Sequence, residues 1–264
     1  IKFAESAKSI AFTYRNEELA EDLKNEMQKI NPNLSINSFF CDFSVQDSIR
    51  ECADKIKNDL KAIDLLINNA GVVNTEYSET IDGIENTFAV NHLGYFLFTN
   101  LLLDLVKKES ESRIINVSSA AHHFVKGMQW DDINYKDDFK MGLKAYGQSK
   151  LGNILFTKQL AKKLQKDGVT VNAIHPGGVN TSLGNQNNSL LGRVLKIILK
   201  PFFRSPLKGA NTIIYLAEID GLSITGAYWV DGRVAKTSHY SKNEAEAEKL
   251  WRLSEKLVNQ EFDI

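Results

Sequence analysis

Short apolar runs alternate with longer amphipathic segments along the whole chain. The apolar runs lie at 9–14, 35–40, 63–68, 113–118, 169–174 and 226–230. Between them, apolar residues recur at helical spacing near 17–30, 45–60, 83–107, 145–166, 189–200, 208–219 and 243–258. Because strands that alternate with helices pair in parallel, the pattern predicts an α/β fold: a doubly wound, Rossmann-type parallel sheet with helices on both faces.

Length, charge and composition narrow the class of protein. The 264 residues contain no linker, repeat or low-complexity tract, so we expect a single domain over 1–264. A net charge of −1 gives no basic footprint for a nucleic-acid partner. The cysteines and histidines show no disulfide framework and no zinc-type spacing, so no metal site is expected. The sequence has no apolar run of about 18 residues and no visible signal peptide, so we expect no transmembrane span. We expect the protein to be cytoplasmic or peripheral on an intracellular membrane.

Polar residues and glycines follow several apolar runs, at the point where each predicted strand ends. They are Arg15, Asp42 with Phe43, Asn68 to Gly71, Ser118 with Ser119, and HPGGVNT at 175–181. Doubly wound sheets bind ligands at the carboxyl ends of their strands, so these residues predict one shared site. Each also has a purely structural interpretation: Gly71 could shape a turn, Gly177 could end a strand, and Asp42 could cap a helix.

The stretch AYGQSK places Tyr146 and Lys150 four positions apart in a segment with helical periodicity. Positions i and i+4 lie on one face of a helix, so both side chains can reach the same point. A nearby ammonium favours a phenolate, and we therefore expect Lys150 to lower the pKa of Tyr146 and make it a proton donor and acceptor. Taken alone, the pair could equally be two solvated helix residues.

Four motifs together carry a family resemblance. LLINNAG at 65–71, NVSSAAHH at 116–123, AYGQSK at 145–150 and HPGGVNT at 175–181 stand in the order and spacing of the short-chain dehydrogenase/reductase family. The chain resembles this family over nearly its whole length. NVSSAAHH and the stretches at 150–164 and 201–217 are most similar to the retinol dehydrogenase and WW-domain oxidoreductase branch.

The resemblance implies four catalytic residues. Tyr146 would exchange a proton with the substrate oxygen, and Lys150 would lower the pKa of Tyr146 and hold the ribose hydroxyls of the cofactor. Ser119, the second serine of its pair, would hydrogen-bond the substrate oxygen and stabilise its developing charge. Asn91 would hold a water that relays protons to Lys150, although a structural role within its helix is the alternative.

The resemblance also implies a nicotinamide cofactor. The contacts it assigns are Asn68, Ala70 and Gly71 along the adenosine ribose, Asp42 and Phe43 at the adenine, Tyr146 and Lys150 at the nicotinamide ribose, and Pro176, Gly177, Val179 and Thr181 at the nicotinamide end. An arginine after the second strand of the fold suits a 2′-phosphate, and Arg15 follows the run where that position is expected. We therefore expect NADP(H) to be favoured over NAD(H), with a solvated Arg15 as the alternative.

A glycine-rich turn normally follows the first strand of a dinucleotide-binding fold, and its amides hold the pyrophosphate. No glycine precedes Gly71 here, and 1–7 resembles the tail of the helix after that turn. We therefore expect the first strand and the turn to be absent from this sequence, with the domain incomplete at its N-terminus.

The family places a mobile segment over the substrate, and 184–207 corresponds to it. Within it, LLGRVLKIILKPFFR at 190–204 is apolar with interspersed basic residues, which favours a small lipophilic substrate. The same pattern suits peripheral contact with a membrane surface, and a homo-oligomer interface is a third interpretation.

These features favour an NADP(H)-dependent oxidoreductase that interconverts an alcohol and a carbonyl compound. A retinoid, a steroid, a lipid aldehyde or a xenobiotic ketone would each suit the apolar segment. A sugar-nucleotide epimerase shares the tyrosine–lysine pair, but NNAG and the short chain argue against it. A non-catalytic dinucleotide-binding or scaffold protein on the same fold is the alternative from another class, supported only by the missing turn.

Overall fold

A computed structural model describes residues 1–109, 111–177 and 205–264. The strands are β1 Ser9–Tyr14, β2 Ser35–Phe40, β3 Leu65–Asn68, β4 Arg113–Val117, β5 Thr170–His175, β6 Tyr228–Val230 and β7 Arg233–Val234. The α-helices are α1 Glu17–Ile30, α2 Gln46–Asp59, α3 Asn86–Phe88, α4 Gly94–Val106, α5 Leu143–Lys163, α6 Pro206–Glu218 and α7 Glu244–Leu257. Short 3₁₀ turns lie at Lys2–Glu5, Ala120–Phe124, Lys140–Gly142 and His239–Lys242, and a π-turn lies at Ala89–Leu93.

The strands form two hydrogen-bonded groups. β1 pairs in parallel with β2, while the second group has the order β3-β4-β5-β6-β7, parallel except for the final pair. In the doubly wound order, the first strand of the fold lies between the second and the fourth. That position is the one between β1 and β3, and no strand of the described residues lies there.

Burial along the strands reflects this division. No residue of β1 is fully buried, whereas four of the five residues of β4 are. β4 is covered on both faces by helices and has strands on both sides, as in other parallel sheets. The site described below therefore rests mainly on β3, β4 and β5.

Helix α1 shows how the local sequence determines an element. The Asn16 side chain accepts a hydrogen bond from Leu19 N at 3.0 Å and caps the first turn. Glu17 and Glu18 complement the positive N-terminal end of the helix dipole. Met27 on the inner face is buried against Ala4 and Leu34, which fixes α1 beside the first strand group.

The main core lies where α4, α5 and α7 pack together. The ring of Phe96 on α4 contacts Trp251 on α7 at a centroid distance of 4.9 Å, and Trp251 stacks on Phe156 of α5 at 5.9 Å. The stretch Asn86–Val106 is long and apolar enough to cross a membrane, but 89% of its most apolar window is buried inside the fold. Burial of this kind is characteristic of a core helix.

Some element boundaries differ from the sequence prediction. The helix predicted over 83–107 begins at Asn86 and contains the π-turn, which an apolar period cannot distinguish from a regular α-turn. β7 is too short to produce a period of its own. Two predictions lie outside the described residues: the helix at 189–200 and most of the segment 184–207. At the start of α6, Ser205 caps the helix by accepting a hydrogen bond from Lys208 N at 3.4 Å.

Candidate active site

Helix α5 brings Tyr146 and Lys150 together at the carboxyl edge of the sheet, as their spacing predicts. Lys150 Nζ lies 5.7 Å from the centroid of the Tyr146 ring and 5.7 Å from that of Tyr95. Lys150 is only 3% exposed, and its Nζ donates to Val117 O at the end of β4, at 3.0 Å. Burial lowers the pKa of Lys150 to about 7, so its charge changes near neutrality.

The two serines after β4 have different roles. Ser118 is buried and its hydroxyl donates to Lys150 O at 2.7 Å, which attaches β4 to α5. Ser119 is half-buried, and its hydroxyl is near enough to the Tyr146 phenol to act on its pKa. The geometry therefore brings the second serine of the pair, rather than the first, to the tyrosine.

The electrostatic effect on Tyr146 differs from the sequence expectation. Burial raises the pKa of Tyr146, and the nearby Ser119 hydroxyl acts in the opposite direction. Lys150 does not lower the pKa of Tyr146 in this structure. Its ammonium is directed at the Val117 carbonyl, and its own pKa is lowered by the same burial.

Asn91 lies in the π-turn and connects three parts of the fold. Its Oδ1 accepts from Val72 N at 2.8 Å, and its Nδ2 donates to Val72 O at 3.0 Å and to Ser149 Oγ at 3.1 Å. The side chain is fully buried and both amide hydrogens are used within the protein. Asn91 thus attaches the segment after β3 to α5, and its assignment as a water ligand in a proton relay stays a prediction.

The segment after β3 contains three residues predicted to contact the ribose. The Asn68 amide donates to Thr99 Oγ1 and to Asn116 Oδ1, both at 2.7 Å, so its side chain is engaged in the core. Ala70 and Gly71 are half-buried at the edge of the sheet. A methyl group on Gly71 would lie 3.2 Å from Asn91 Oδ1, which is closer than an ordinary van der Waals contact.

Residues predicted at the adenine end lie after β1 and β2. Arg15 is exposed, and its guanidinium lies 3.9 Å from Asp42 Oδ1. Asp42 Oδ1 also accepts from Ser44 N at 2.9 Å, which forms a turn before α2. The Phe43 ring is buried and packs edge-on against Phe98 at a centroid distance of 5.4 Å, so it is chiefly a core residue.

The nicotinamide end is described only in part. Pro176 and Gly177 follow β5 and are half-buried, and Gly177 has a φ of 81°, which favours glycine. Val179, Thr181 and the segment 190–204 lie outside the described residues. In the ranges that are described, no group of three His, Cys, Asp or Glu side chains is placed to hold a metal ion.

Two residues near the tyrosine were not found by sequence reasoning. Tyr95 is fully buried four residues after Asn91, so the helical i+4 relation could have placed it on the side of α4 that faces Lys150. His122, three residues after Ser119, is fully buried, and its Nδ1 lies 2.6 Å from Ser119 O. Its place inside NVSSAAHH was the available signal, but two adjacent histidines do not show which one faces inward.

Comparison with known proteins identifies the family. The model of a family described as Enoyl-(Acyl carrier protein) reductase matches residues 1–232. Retinol dehydrogenase 13 from Homo sapiens is 38% identical over 267 residues, which cover 99% of this chain and 80% of the relative. The chain belongs to the short-chain dehydrogenase/reductase family. This is a family of oxidoreductases.

Other similar proteins agree with this family. Retinol dehydrogenase 14 from Mus musculus is 41% identical over 216 residues, covering 80% of this chain but 64% of the relative, less than two thirds of its length. A crystal structure of an uncharacterised protein from Mycobacterium Paratuberculosis has a TM-score of 0.73 at 28% identity, over 96% of this chain and 85% of that one. The RhlG/NADP active-site complex from Pseudomonas aeruginosa has a TM-score of 0.65 at 23% identity, over 85% of each chain, and shows the fold alone.

The residues at the sheet edge suit the nicotinamide dinucleotide that serves short-chain dehydrogenases/reductases. A lysine ammonium has three donors, and among the described residues Lys150 makes one hydrogen bond, to Val117 O. Its other donors suit ribose hydroxyls. Gly71 borders the same space, since a methyl group there would lie 3.7 Å from Lys150 Nζ, an ordinary van der Waals contact.

Proposed function

We propose that this protein interconverts an alcohol and a carbonyl compound with a nicotinamide dinucleotide, preferring NADP(H) and a lipophilic substrate. The observation that supports this most directly is the position of Tyr146, whose ring centroid lies 5.7 Å from the Nζ of the buried Lys150, with the Ser119 hydroxyl near the phenol. A tyrosine, a nearby serine and a lysine at the carboxyl edge of a doubly wound sheet form a general acid–base site.

In the proposed reaction, the bound nicotinamide supplies or accepts the hydride. During reduction Tyr146 gives its phenolic proton to the carbonyl oxygen, and during oxidation it takes the proton of the alcohol. Ser119 donates a hydrogen bond to the same oxygen as negative charge develops on it. Lys150 holds the ribose hydroxyls, and because its pKa is about 7 it can replace the proton that Tyr146 transfers.

The preference for NADP(H) is supported by Arg15. Its guanidinium follows β1 and lies 3.9 Å from Asp42, so it is held near the predicted adenine end while 52% of the side chain stays exposed. An exposed arginine there would bind a 2′-phosphate by charge-assisted hydrogen bonds.

The substrate class is supported by similarity and by the sequence of 190–204. Two relatives with about 40% identity are named retinol dehydrogenases, which favours a retinoid or another lipophilic alcohol or aldehyde. A steroid or a xenobiotic ketone would suit the same apolar segment. We also propose that the segment 190–204 makes peripheral contact with an intracellular membrane. The alternative is that this segment forms a homo-oligomer interface. The whole chain, 1–264, belongs to a single domain in this proposal.

The experiment is a screen of NADPH consumption with retinaldehyde, a steroid ketone, a long-chain aldehyde and a xenobiotic ketone. We expect turnover with at least one of them, and a loss of about 10²–10⁴-fold in kcat for Tyr146→Phe with cofactor affinity within a few-fold. Tyr215→Phe, at a partly exposed position on α6, is the matched control and should keep full activity. NADPH binding without turnover of any compound would support the scaffold alternative, and full activity of Tyr146→Phe would exclude the proposed acid.

A further inference from the structure

His122 joins the turn after β4 to the C-terminal part of the chain. Its Nδ1 lies 2.6 Å from Ser119 O, and its Nε2 lies 3.2 Å from Ser238 N. A backbone N–H can only donate, so Nε2 accepts from Ser238. Nδ1 must then carry the ring proton and donate it to the Ser119 carbonyl. Both ring nitrogens are used, and the tautomer follows from the partners.

The surroundings of the ring keep it in this neutral form. His122 is fully buried, and the Tyr228 ring packs edge-on against it at a centroid distance of 5.1 Å. Burial lowers the pKa of His122 to about 4. The hydrogen bond to Ser119 O acts to raise this pKa, whereas the neighbouring His123 and His175 act to lower it further. A protonated ring would lose the bond from Ser238, because Nε2 would become a donor facing a donor.

The effect of this connection falls on Ser119. Its carbonyl accepts from the His122 side chain and also from His122 N at 3.2 Å. Its Oγ accepts from Ala121 N at 3.2 Å, so the hydroxyl hydrogen is free to donate to another group. The Tyr146 phenol is near enough for the Ser119 hydroxyl to act on its pKa. The serine is thus held at its carbonyl and its Oγ, while its one side-chain donor remains available to the site.

We propose that His122 is a positioning residue that fixes Ser119 for the reaction, with Ser238 as its anchor. The inference rests on the proposed function, because it assigns Ser119 the task of binding the substrate oxygen. His122 takes no part in proton transfer, since both nitrogens are engaged and the ring is enclosed. Its removal allows the 119–122 turn to shift, so the donor on Ser119 is misplaced relative to Tyr146.

The test compares three substitutions, with kcat, KM and NADPH affinity measured for each. His122→Phe removes both hydrogen bonds, His122→Asn can keep the donor near Nδ1, and His122→Gln can keep a polar atom near Nε2. We expect kcat to fall by roughly 10–10²-fold in His122→Phe, with NADPH affinity unchanged, and His122→Asn to restore most of it. His122→Gln should restore less. His123→Asn, at the exposed neighbouring histidine, is the control and should match the wild type.

A second measurement does not depend on turnover. ¹⁵N NMR of the wild type should show a protonated Nδ1 and an unprotonated Nε2 in one buried histidine, with the Nδ1–H protected from solvent exchange, and the signal should vanish in every His122 variant. If His122→Phe does not fold, equal kcat in the Asn and Gln variants would overturn the proposal.

Failure of this inference can be told apart from failure of the proposed function. An active wild type with unchanged kcat in His122→Phe, or an Nε2-protonated ring, overturns the role of His122 alone. A wild type that turns over none of the carbonyl compounds overturns the proposed function, and the positioning role with it.

Discussion

Lys150 is a lysine, normally a charged surface residue, that is buried almost completely from water. It is 3% exposed, and burial lowers its pKa from 10.5 to about 7. Such a site costs stability, which agrees with the general observation that functional sites carry strained or poorly solvated groups. This loss of folding stability depends on pH, so the burial of Lys150 can be tested without a substrate.

We expect Lys150→Met to be more stable than the wild type at neutral pH, by on the order of 2 kcal/mol, because the buried ammonium is removed. Below the folded-state pKa of about 7, Lys150 is charged in the folded protein and the full loss of folding stability is present. Between that value and 10.5 the unfolded state binds more protons, so wild-type stability rises with pH and the advantage of the variant shrinks. Urea unfolding across this range measures it. Lys166→Met, at an exposed position, should show no such trend.

Arg15 gives a second prediction at the residue scale. Arg15→Asp should lower kcat/KM with NADPH by about 10–10²-fold, because a charge-assisted bond is lost and a carboxylate is placed beside Asp42. The kcat/KM with NADH should fall less than that with NADPH, or rise. Arg15→Gln, which removes the cation without adding an anion, should have an intermediate effect. An unchanged ratio of the two kcat/KM values would mean that another residue binds the 2′ position.

At the scale of elements, the site depends on how closely α5 packs on the 120–124 turn. Gly147 follows Tyr146, and a methyl group there would lie 2.8 Å from Ala121 O. The helix and the turn that carries Ser119 can approach each other only because this position has no side chain. The glycine of AYGQSK therefore has a packing reason that is independent of catalysis.

Gly147→Ala tests this contact. In an exposed helix the change would stabilise by about 1 kcal/mol, since alanine has the higher helix propensity. Here the overlap with Ala121 O should dominate and destabilise by about 1–3 kcal/mol. Turnover should also fall, because α5 and the Ser119 turn are forced apart. Thermal unfolding measures the sign, and a higher melting temperature in the variant would show that the helix has room to move.

For the whole molecule, two fully buried histidines connect distant parts of the chain. His92 in the π-turn lies 3.0 Å from Ser254 Oγ on α7, and His122 joins Ser119 to Ser238. Burial lowers the pKa of each to about 4, so both rings are neutral at pH 7. Folding is therefore coupled to pH through the packing of the core.

We expect stability to decrease as pH falls from 6.5 towards 4. In this interval the unfolded state binds protons on both histidines while the folded state does not, so acid favours unfolding. Burial raises the pKa of Glu85, which acts in the opposite direction. Variants must therefore be compared: His92→Gln should flatten the acid dependence measured by urea unfolding, while His239→Gln, at an exposed position, should leave it unchanged. Equal slopes in all three proteins would contradict the role of buried histidine.

The sequence by itself determined the order and type of the elements and the positions of the motifs. The runs at 9–14 and 35–40 became β1 and β2 without change, and the spacing of Tyr146 and Lys150 placed both on one side of α5. These features depend on local periodicity and on covalent spacing, which a single sequence contains. The family resemblance followed from the same motifs, and its branch agrees with the named relatives.

Only the tertiary structure decided what each side chain does at the site. It engaged the Asn68 and Asn91 amides within the fold, buried the Phe43 ring, raised the pKa of Tyr146 and brought Tyr95 and His122 to the site. It also separated the described strands into two hydrogen-bonded groups. Hydrogen-bond partners and desolvation arise from residues far apart in the chain, so no local pattern specifies them.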